Sequence, residues 1–437
     1  MKLYGLVISL FSVCCCAECV APAKKTSFEE AVIAAYNNYP GWFSQQTKKR
    51  IADEQLLQAR TAFLPDIRCG LTALRAKKET YEFGSVAHFR GTETDMALTL
   101  SQNLFDGFAT VNRIKSHDNA AEAAYHELKM HEQELIINVL EAYAGIWLGR
   151  QKVVALKRRE ENLKKVLNSH ESALEAGMNT SSDVSEANAN YQNAISDRIK
   201  AETDLFSFES EFEKLTGLKM DENPELPNLN VTLPETLEEL VKTAMSSNHA
   251  VKYHQFMKKA AEANLNMQKG ALSPSCDLKL QASKNLYKPP QGRTCKYNAS
   301  LEVSVPLFAN PSSGNIYSSI AIADQKALEA KFNAENSKLE IRKQCVVHWN
   351  TYISAGAMIK YLRSAVKSAE LSSESKLEES AFGTKSNTDV LIAENKLLES
   401  RINLAESRKN KLVAALKLYG LTGHLSLSSI FEKKNNK

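Results

Sequence analysis

Gly177-Met178-Asn179-Thr180-Ser181-Ser182-Asp183-Val184 is answered 206 residues later by Gly383-Thr384-Lys385-Ser386-Asn387-Thr388-Asp389-Val390. The same offset of 206 relates Leu215-Thr216-Gly217 to Leu421-Thr422-Gly423. Upstream, Phe63-Leu64-Pro65 corresponds to Leu272-Ser273-Pro274 at 209, and Leu104-Phe105 to Leu307-Phe308 at 203. Landmarks repeated in one order mean a supersecondary unit present twice. The offsets drift where lengths change. The first copy is six residues longer between its Pro and its Leu-Phe, and the second is three longer at Asn310-Pro311-Ser312-Ser313-Gly314, which marks loops. The expected organisation is a signal peptide at 1–23, then a first repeat at 24–222 of helix, two strands, long helix, tip turn and return helix. A linker at 223–234, a second repeat in the same order at 235–424 and a tail at 425–437 complete the chain.

Composition agrees with long helices. Only 17 Gly and 11 Pro occur in 437 residues, while Ala, Leu, Glu, Lys, Asn and Ser dominate. The net charge of +4 is spread over both signs and gives no reason to invoke nucleic acid. Lys2 followed by the apolar run Leu3 to Val13 is too short for a spanning helix and reads as a secretory signal, with Ala21-Pro22-Ala23 as its cleavage site. Neither Phe11-Ser12-Val13-Cys14 nor Cys16-Ala17-Glu18-Cys19 has the form of a good lipid-attachment site. Beyond the signal, Cys69, Cys276, Cys295 and Cys345 occupy unmatched positions in the two copies, so buried apolar roles are expected in preference to a disulfide framework.

After the opening helix of each copy, Phe28 to about Phe63 and Leu237 to about Leu272, the period changes from 3.6 to 2. Ile67, Cys69, Leu71 and Ala73 alternate with polar or small residues, as do Met96, Leu98 and Leu100. In the second copy Leu278, Leu280 and Ala282 alternate, and so do Tyr297, Ala299, Leu301, Val303 and Val305. Such alternation gives one apolar and one wet face. Each segment has about ten residues, enough for a tilted strand to cross a bilayer. Arg75 to Glu93 and Asn285 to Thr294 read as polar hairpin loops. A soluble sheet covered by helices would alternate equally well, but the helices that follow are too long to fold back as a compact cover. Four strands cannot close a transmembrane barrel, and open edges in hydrocarbon leave backbone groups unpaired. Two copies would give eight strands and a filled interior; three would give twelve and a lumen. A pore argues for three.

From about Asn112 to Glu175 and from Asn315 to Ala381 there is no proline, with Gly145, Gly149 and Gly356 as candidate local breaks. The return helix of the first copy places Val184, Ala187, Tyr191, Ala194, Arg198, Ala201, Leu205, Phe208, Phe212 and Leu215 at unbroken 3-4 spacing, a coiled-coil seam with one polar intruder, Arg198. Val390, Ala393, Leu397, Ser400 and Leu404 follow in the second copy. Between the helices, Gly177 and Gly383 end one rod, and Ser182-Asp183 and Thr388-Asp389 start the next with capping oxygens and negative charge.

This duplicated order of helix, Leu/Phe-x-Pro, two strands, Leu-Phe, long helix, Gly-x(5)-Asp-Val tip, return helix and Leu-Thr-Gly resembles the TolC-like outer membrane channel and efflux protein family over essentially the whole chain after its signal. The resemblance implies an α+β membrane protein: a homotrimer with a twelve-stranded outer membrane β-barrel, four strands per chain, continued by a periplasmic α-helical barrel. It implies the exit duct of a type I secretion or tripartite efflux system, embedded in outer membrane lipid and docked on a periplasmic adaptor (membrane fusion) protein and an inner membrane transporter. It also implies an equatorial zone to which Asn223 to Pro234 and the segment after Gly423 contribute. In the family the periplasmic end is shut by a basic residue facing an Asp and its preceding hydroxyl. Here Lys385 takes the basic position, and Asp183 with Ser182 the acceptors. Lysine lacks the bidentate fork of arginine, so a looser latch is expected. A Tyr of that network matches Ser380. Asp389 carries the carboxylate ring at the constriction, and its companion one turn later is Ile392, so one ring is lost.

Enzymatic, cofactor and metal readings are poor. No two histidines stand at i,i+4, and Gly383-Thr384-Lys385-Ser386 lacks the upstream glycine and preceding strand of a phosphate loop. The rival from another class is a periplasmic coiled-coil adaptor or structural protein without a pore.

Overall fold

The computed structural model describes residues 27–82, 85–221, 224–227, 233–287, 293–306, 316–382 and 384–427. The expected signal peptide, Gly383, the Leu307-Phe308 landmark and the insertion at 310–314 lie outside them. The elements are α1 (Phe28–Asn38), α2 (Pro40–Thr61), β1 (Asp66–Glu82), β2 (Ser85–Phe105), α3 (Ala109–Glu175) and α4 (Ser181–Thr216), then α5 (Leu237–Ser247), α6 (His249–Gly270), β3 (Ser275–Tyr287), β4 (Arg293–Ser304), α7 (Ile316–Ala381) and α8 (Asn387–Leu421). Two helices, two strands and two helices therefore run twice.

Where the sequence predicts one opening helix per repeat there are two, bent at equivalent places 209 residues apart, Tyr39–Pro40 and Asn248–His249. Pro40 has no N–H to continue a helix and keeps Tyr39 extended, at φ −77° and ψ 112°. The second bend uses no proline. Asn248 accepts from the backbone N–H groups of Ala250 at 2.8 Å and Val251 at 3.4 Å, capping α6. Leu-Thr-Gly also acquires a purpose. Gly217 and Gly423 adopt φ 70° and 77° and end the return helices. The carbonyls before them are then free to accept from the opening helices: Asn38 Nδ2 donates to Thr216 O at 2.7 Å, and Ser247 Oγ to Thr422 O at 2.6 Å.

The long helices are uninterrupted. At ~1.5 Å per residue, the 67 residues of α3 make a rod of roughly 100 Å. Gly145 and Gly149 are not breaks but approach sites. A Cβ on Gly145 would lie 2.5 Å from the Phe208 ring, and one on Gly149 3.1 Å from Leu205. Gly356 likewise sits inside continuous α7. Among the described residues, no helix is long and apolar enough to cross a membrane.

The four strands form one antiparallel sheet in the order β1-β2-β3-β4. Its ladders run past the expected loops: β1 and β2 pair from Asp66↔Ser101 to Glu82↔Ser85, so most of 75–93 is strand, and β3 extends to Tyr287. Backbone pairing continues there because it does not depend on apolar alternation in the side chains. Strand lengths of 17, 21, 13 and 12 residues exceed the expected ten. The register places all four alternating series on one face, in rows such as Ile67-Leu100-Leu280-Ala299 and Cys69-Leu98-Ala282-Tyr297. The other face carries Asp66-Ser101-Lys279-Ser300 and Arg68-Thr99-Gln281-Asn298. The apolar face is bare: Leu71 is 68% and Tyr297 81% exposed. The cysteines correct the expectation of burial. Cys345 is buried, but Cys69 and Cys295 are exposed on the sheet and Cys276 is half-buried.

Two apolar cores sit at the roots of the rods, one per repeat. The first joins Phe28, Val32 and Trp42 to Ile136, Leu140 and Tyr143 of α3 and to Phe212 and Leu215 of α4. The second joins Leu240, Ala244 and Val251 to Ile341 and Cys345 of α7 and Leu418 of α8. Leu425 inserts into the first core while Gln133 Nε2 donates to its carbonyl at 3.4 Å, so the start of the expected tail is anchored. His126 of α3 meets His249 of α6, Nδ1 to Nδ1 at 3.0 Å, with Phe256 stacked on His126 at 5.4 Å. Burial holds the His249 pKa down to about 4, helped by the His126, Lys252 and Lys129 charges, and burial lowers His126 as well. Both rings are thus neutral in the fold but protonate in the unfolded chain below about pH 6.5. The folded state binds fewer protons at His249 between those values, so the His249 contribution is complete above about pH 6.5 and is lost as pH falls toward about 4; burial of His126 acts in the same direction. Thermal melting followed from pH 7 to pH 4 will show that decline, and His249→Gln will flatten it.

Candidate functional site

The free ends of the two helical hairpins gather the residues singled out in the sequence. The first hairpin packs α3 against α4 antiparallel, with Lys157–Glu202 at 3.3 Å and Arg159–Asp197 at 3.4 Å. The predicted seam faces inward: Ala187, Ala194, Ala201, Phe212 and Leu215 are buried, and the remaining members are half-buried. Small residues recur there because α3 approaches closely. The polar intruder Arg198 is accounted for by partners the spacing could not name, since its Nε donates to Glu160 of α3 and its Nη1 to Glu202 at 2.8 Å. In the second seam Ala393, Ser400 and Leu404 are buried, and Val390 and Leu397 half-buried.

Helix α8 also lies antiparallel along α3. Glu141–Lys417 at 2.6 Å, Lys152–Glu406 at 3.5 Å and Arg158–Glu394 at 2.5 Å follow one another toward the tips. Buried Asn162 ends this series, donating to Glu394 at 3.0 Å and Asn395 at 3.4 Å. Partly exposed ion pairs of this kind contribute little energy each, but their order fixes the axial register of the two hairpins.

At the first tip Gly177 takes φ 71°, and Met178 N–H returns to Ala173 O at 2.8 Å. The cap of α4 is Thr180, not Ser182. Its hydroxyl accepts from Asp183 N–H at 3.3 Å, while the Asp183 carboxylate accepts from Thr180 N–H and Oγ1, both at 2.8 Å. At the second tip Ser386, not Thr388, caps α8. Its Oγ accepts from Asp389 N–H at 3.3 Å, and Asp389 accepts from Ser386 N–H at 3.3 Å. These are matching capping boxes, Thr180-x-x-Asp183 and Ser386-x-x-Asp389. Asp183 and Asp389 thus stand at helix N-termini as expected, one position deeper than their predicted hydroxyl partners. The Thr180 backbone and side-chain hydrogen bonds hold the Asp183 carboxyl below its ordinary pKa, with His170 adding to the effect. Asp183 is therefore an anion throughout the neutral range.

Lys385 projects into solvent beside its turn, and Ser182 is exposed on the other tip. Among the described residues no hydrogen bond or ion pair links Lys385 to Ser182 or Asp183 of the same chain. Ser380 Oγ instead donates to Asn387 Oδ1 at 3.0 Å, bracing the second turn, and Asn179 meets His170 at 2.8 Å in the first. Ile392, one turn beyond Asp389, is 53% exposed, so an apolar side chain stands bare at that position. Among the described residues no cluster of metal-ligating side chains occurs.

The sequence profile of the outer membrane efflux protein family matches residues 44–218 and 240–424, spanning both hairpins. The chain is 24% identical over 405 residues to the outer membrane efflux protein BepC of Brucella suis biovar 1, covering 92% of this chain and 86% of that protein. It is 22% identical over 417 residues to the outer membrane protein TolC of Vibrio cholerae serotype O1, covering 91% of each. Its fold is similar to that of the Campylobacter jejuni CmeC outer membrane channel, with a TM-score of 0.75 at 16% identity over 93% of this chain and 88% of that one.

Thr180→Ala removes the α4 cap. It will release the Asp183 carboxyl toward its ordinary pKa in an NMR titration. The lost cap, worth about 1 kcal/mol, will speed amide exchange in the first turn of α4 about fivefold.

Proposed function

The chain belongs to the outer membrane efflux protein family, and from that premise we propose that three copies close one twelve-stranded barrel and act as a passive exit duct whose far end is gated at the helical tips. The observation that carries this reading is the four-stranded sheet with one bare apolar face and two edge strands, β1 and β4. A sheet facing hydrocarbon has to pair its edges, and three copies are the smallest number that leaves a lumen. The polar face then lines the passage, and the rods of roughly 100 Å extend it away from the membrane. Exposed apolar residues along α7, such as Phe332 at 61% and Leu339 at 66%, fit burial against a neighbouring copy in a tube wall. A pore-less adaptor gives no reason for an apolar sheet face.

The tips supply the gate. Lys385, unengaged within its own chain among the described residues, reaches Asp183 and Ser182 on an adjacent hairpin. Its single ammonium makes a latch weaker than an arginine fork would. The Asp389 carboxylates, repeated by the trimer axis, attract cations. The duct serves type I secretion or tripartite efflux, engaging a periplasmic adaptor and an inner membrane transporter through the hairpin ends.

Planar-bilayer recordings of the detergent-extracted protein test the duct. Discrete trimer-sized conductance is expected, and a soluble, non-conducting chain would refute the reading. Lys385→Ala will raise the open fraction, by about two- to fivefold for each of the three symmetry-related pairs lost at about 0.5–1 kcal/mol apiece; unchanged conductance removes the latch. Asp389→Asn will move the cation-to-anion permeability ratio toward one, and an unaltered ratio takes Asp389 out of the pore lining.

A further inference from the structure

The duplication lets the two tips be compared position by position. Asp183-Val184-Ser185-Glu186-Ala187 of α4 corresponds to Asp389-Val390-Leu391-Ile392-Ala393 of α8. The capping carboxylates match, and so do the buried seam residues Ala187 and Ala393. Between them the copies part: Glu186 is an exposed carboxylate and Ile392 an exposed isoleucine. The rest of α8 is different in kind. The helix packs against α7 and α3, and Asp389, Ile392, Lys396, Glu399 and Asn403 follow one another at 3-4-3-4 spacing, which sets them on one stripe. From Ile392 onward that stripe is exposed, and among the described residues Ile392 is the one exposed apolar side chain of α8. The neighbouring rod is the reverse. Phe332, Leu339, Val346 and Ile353 of α7, seven residues apart, form a bare apolar flank.

An apolar flank calls for a protein neighbour and a polar one for water. In a trimeric tube α7 therefore meets the adjoining copy, and the stripe of α8 faces the passage. One bare isoleucine on a monomer is ordinary; repeated about a threefold axis it becomes a ring. The chemistry of that ring differs from that of its neighbour. Asp389, roughly 4.5 Å away along α8 at ~1.5 Å per residue, offers cations a carboxylate and holds water. Isoleucine offers an ion of either sign nothing in place of its hydration shell, so a narrow apolar ring empties of water and blocks conduction. We propose that the Ile392 side chains of three copies meet on the trimer axis and form an apolar seal that keeps the closed duct dry. The proposal deepens the trimeric-duct reading and rests on it. The two rings divide the work: Asp389 favours cations when the tips part, and Ile392 excludes both signs when they close. Glu186, at the equivalent place on the first tip, could not serve, since a carboxylate keeps a constriction wet.

Full-length trimers in planar bilayers test the seal. A dewetted constriction is wetted by the applied field, so the wild-type resting current is expected to be small and to climb faster than linearly with voltage. Ile392→Asn, a polar change at an exposed position, will raise the resting conductance severalfold and straighten the current–voltage curve. Ile392→Leu, still apolar, will retain most of the seal, and Glu186→Gln on the first tip will alter neither property. A second measurement locates the residue. In a threefold ring identical residues face one another only around the axis. Mild oxidation of Ile392→Cys will therefore link protomers in pairs, above whatever the wild type gives through its exposed Cys69 and Cys295. An unchanged resting conductance in Ile392→Asn overturns the proposal, as does the lack of added linkage in Ile392→Cys. If Lys385→Ala or Asp389→Asn alters conduction while the Ile392 variants do not, only the seal falls. A wild-type protein that forms no conducting trimer removes the duct and the seal together.

Discussion

A β-sheet must either end or close, and this one ends twice within a single chain. The outer edges of β1 and β4 present rows of backbone donors and acceptors with no strand partner among the described residues of the protomer. In water such edges are an aggregation liability; in hydrocarbon each unpaired group costs several kcal/mol. The rest of the molecule is organised around that requirement. The apolar series of all four strands share one face, so a closed sheet has a uniform exterior and a uniform polar interior. Each repeat also hangs its strand pair between a short bent helix and a long rod, which keeps the sheet at one end of the molecule and the tips at the other.

Below the sheet, stability and placement are handled by different interactions. Apolar burial is concentrated in two root clusters, built from equivalent helices of the two repeats. Val139 and Cys345 occupy matching positions in them, and both are fully buried. Along the rods the contacts are small residues and ion pairs. Glycine at 145 admits Phe208, and the carboxylates of Glu141, Glu406 and Glu394 each meet a cation on the facing helix. Such contacts add little net free energy but specify one axial alignment, which a hairpin of this length needs if its tip is to arrive at a fixed place.

Periodicity made much of this visible in the sequence. The alternation of Ile67 to Ala73 and of Tyr297 to Val305 located strands and their apolar face, and the spacing from Val184 to Leu215 located the α4 seam. What stayed hidden depended on partners distant in sequence or on backbone pairing alone. The 75–93 ladder has no alternating signature because its pairing is made by the main chain. His126 and His249 look unrelated by spacing, since the fold alone brings them together. The tips were legible in type but shifted in detail: the capping oxygens belong to Thr180 and Ser386, because a box needs its hydroxyl three residues before the acid.

The two bends in the opening helices differ in what enforces them. At Tyr39–Pro40 the bend is written into covalent geometry and persists whatever its neighbours do. At Asn248 it is held by one side chain that caps α6 with its oxygen and, through Nδ2, donates to Leu421 O at 3.0 Å at the end of α8. One joint is a weld and the other a clasp. Any sliding of α8 along the bundle has to open or strain that clasp, so the bend at the root of the second hairpin registers the motion of its own tip, whereas at the first root Asn38 also ties to Thr216 O but the angle of the bend is set by Pro40.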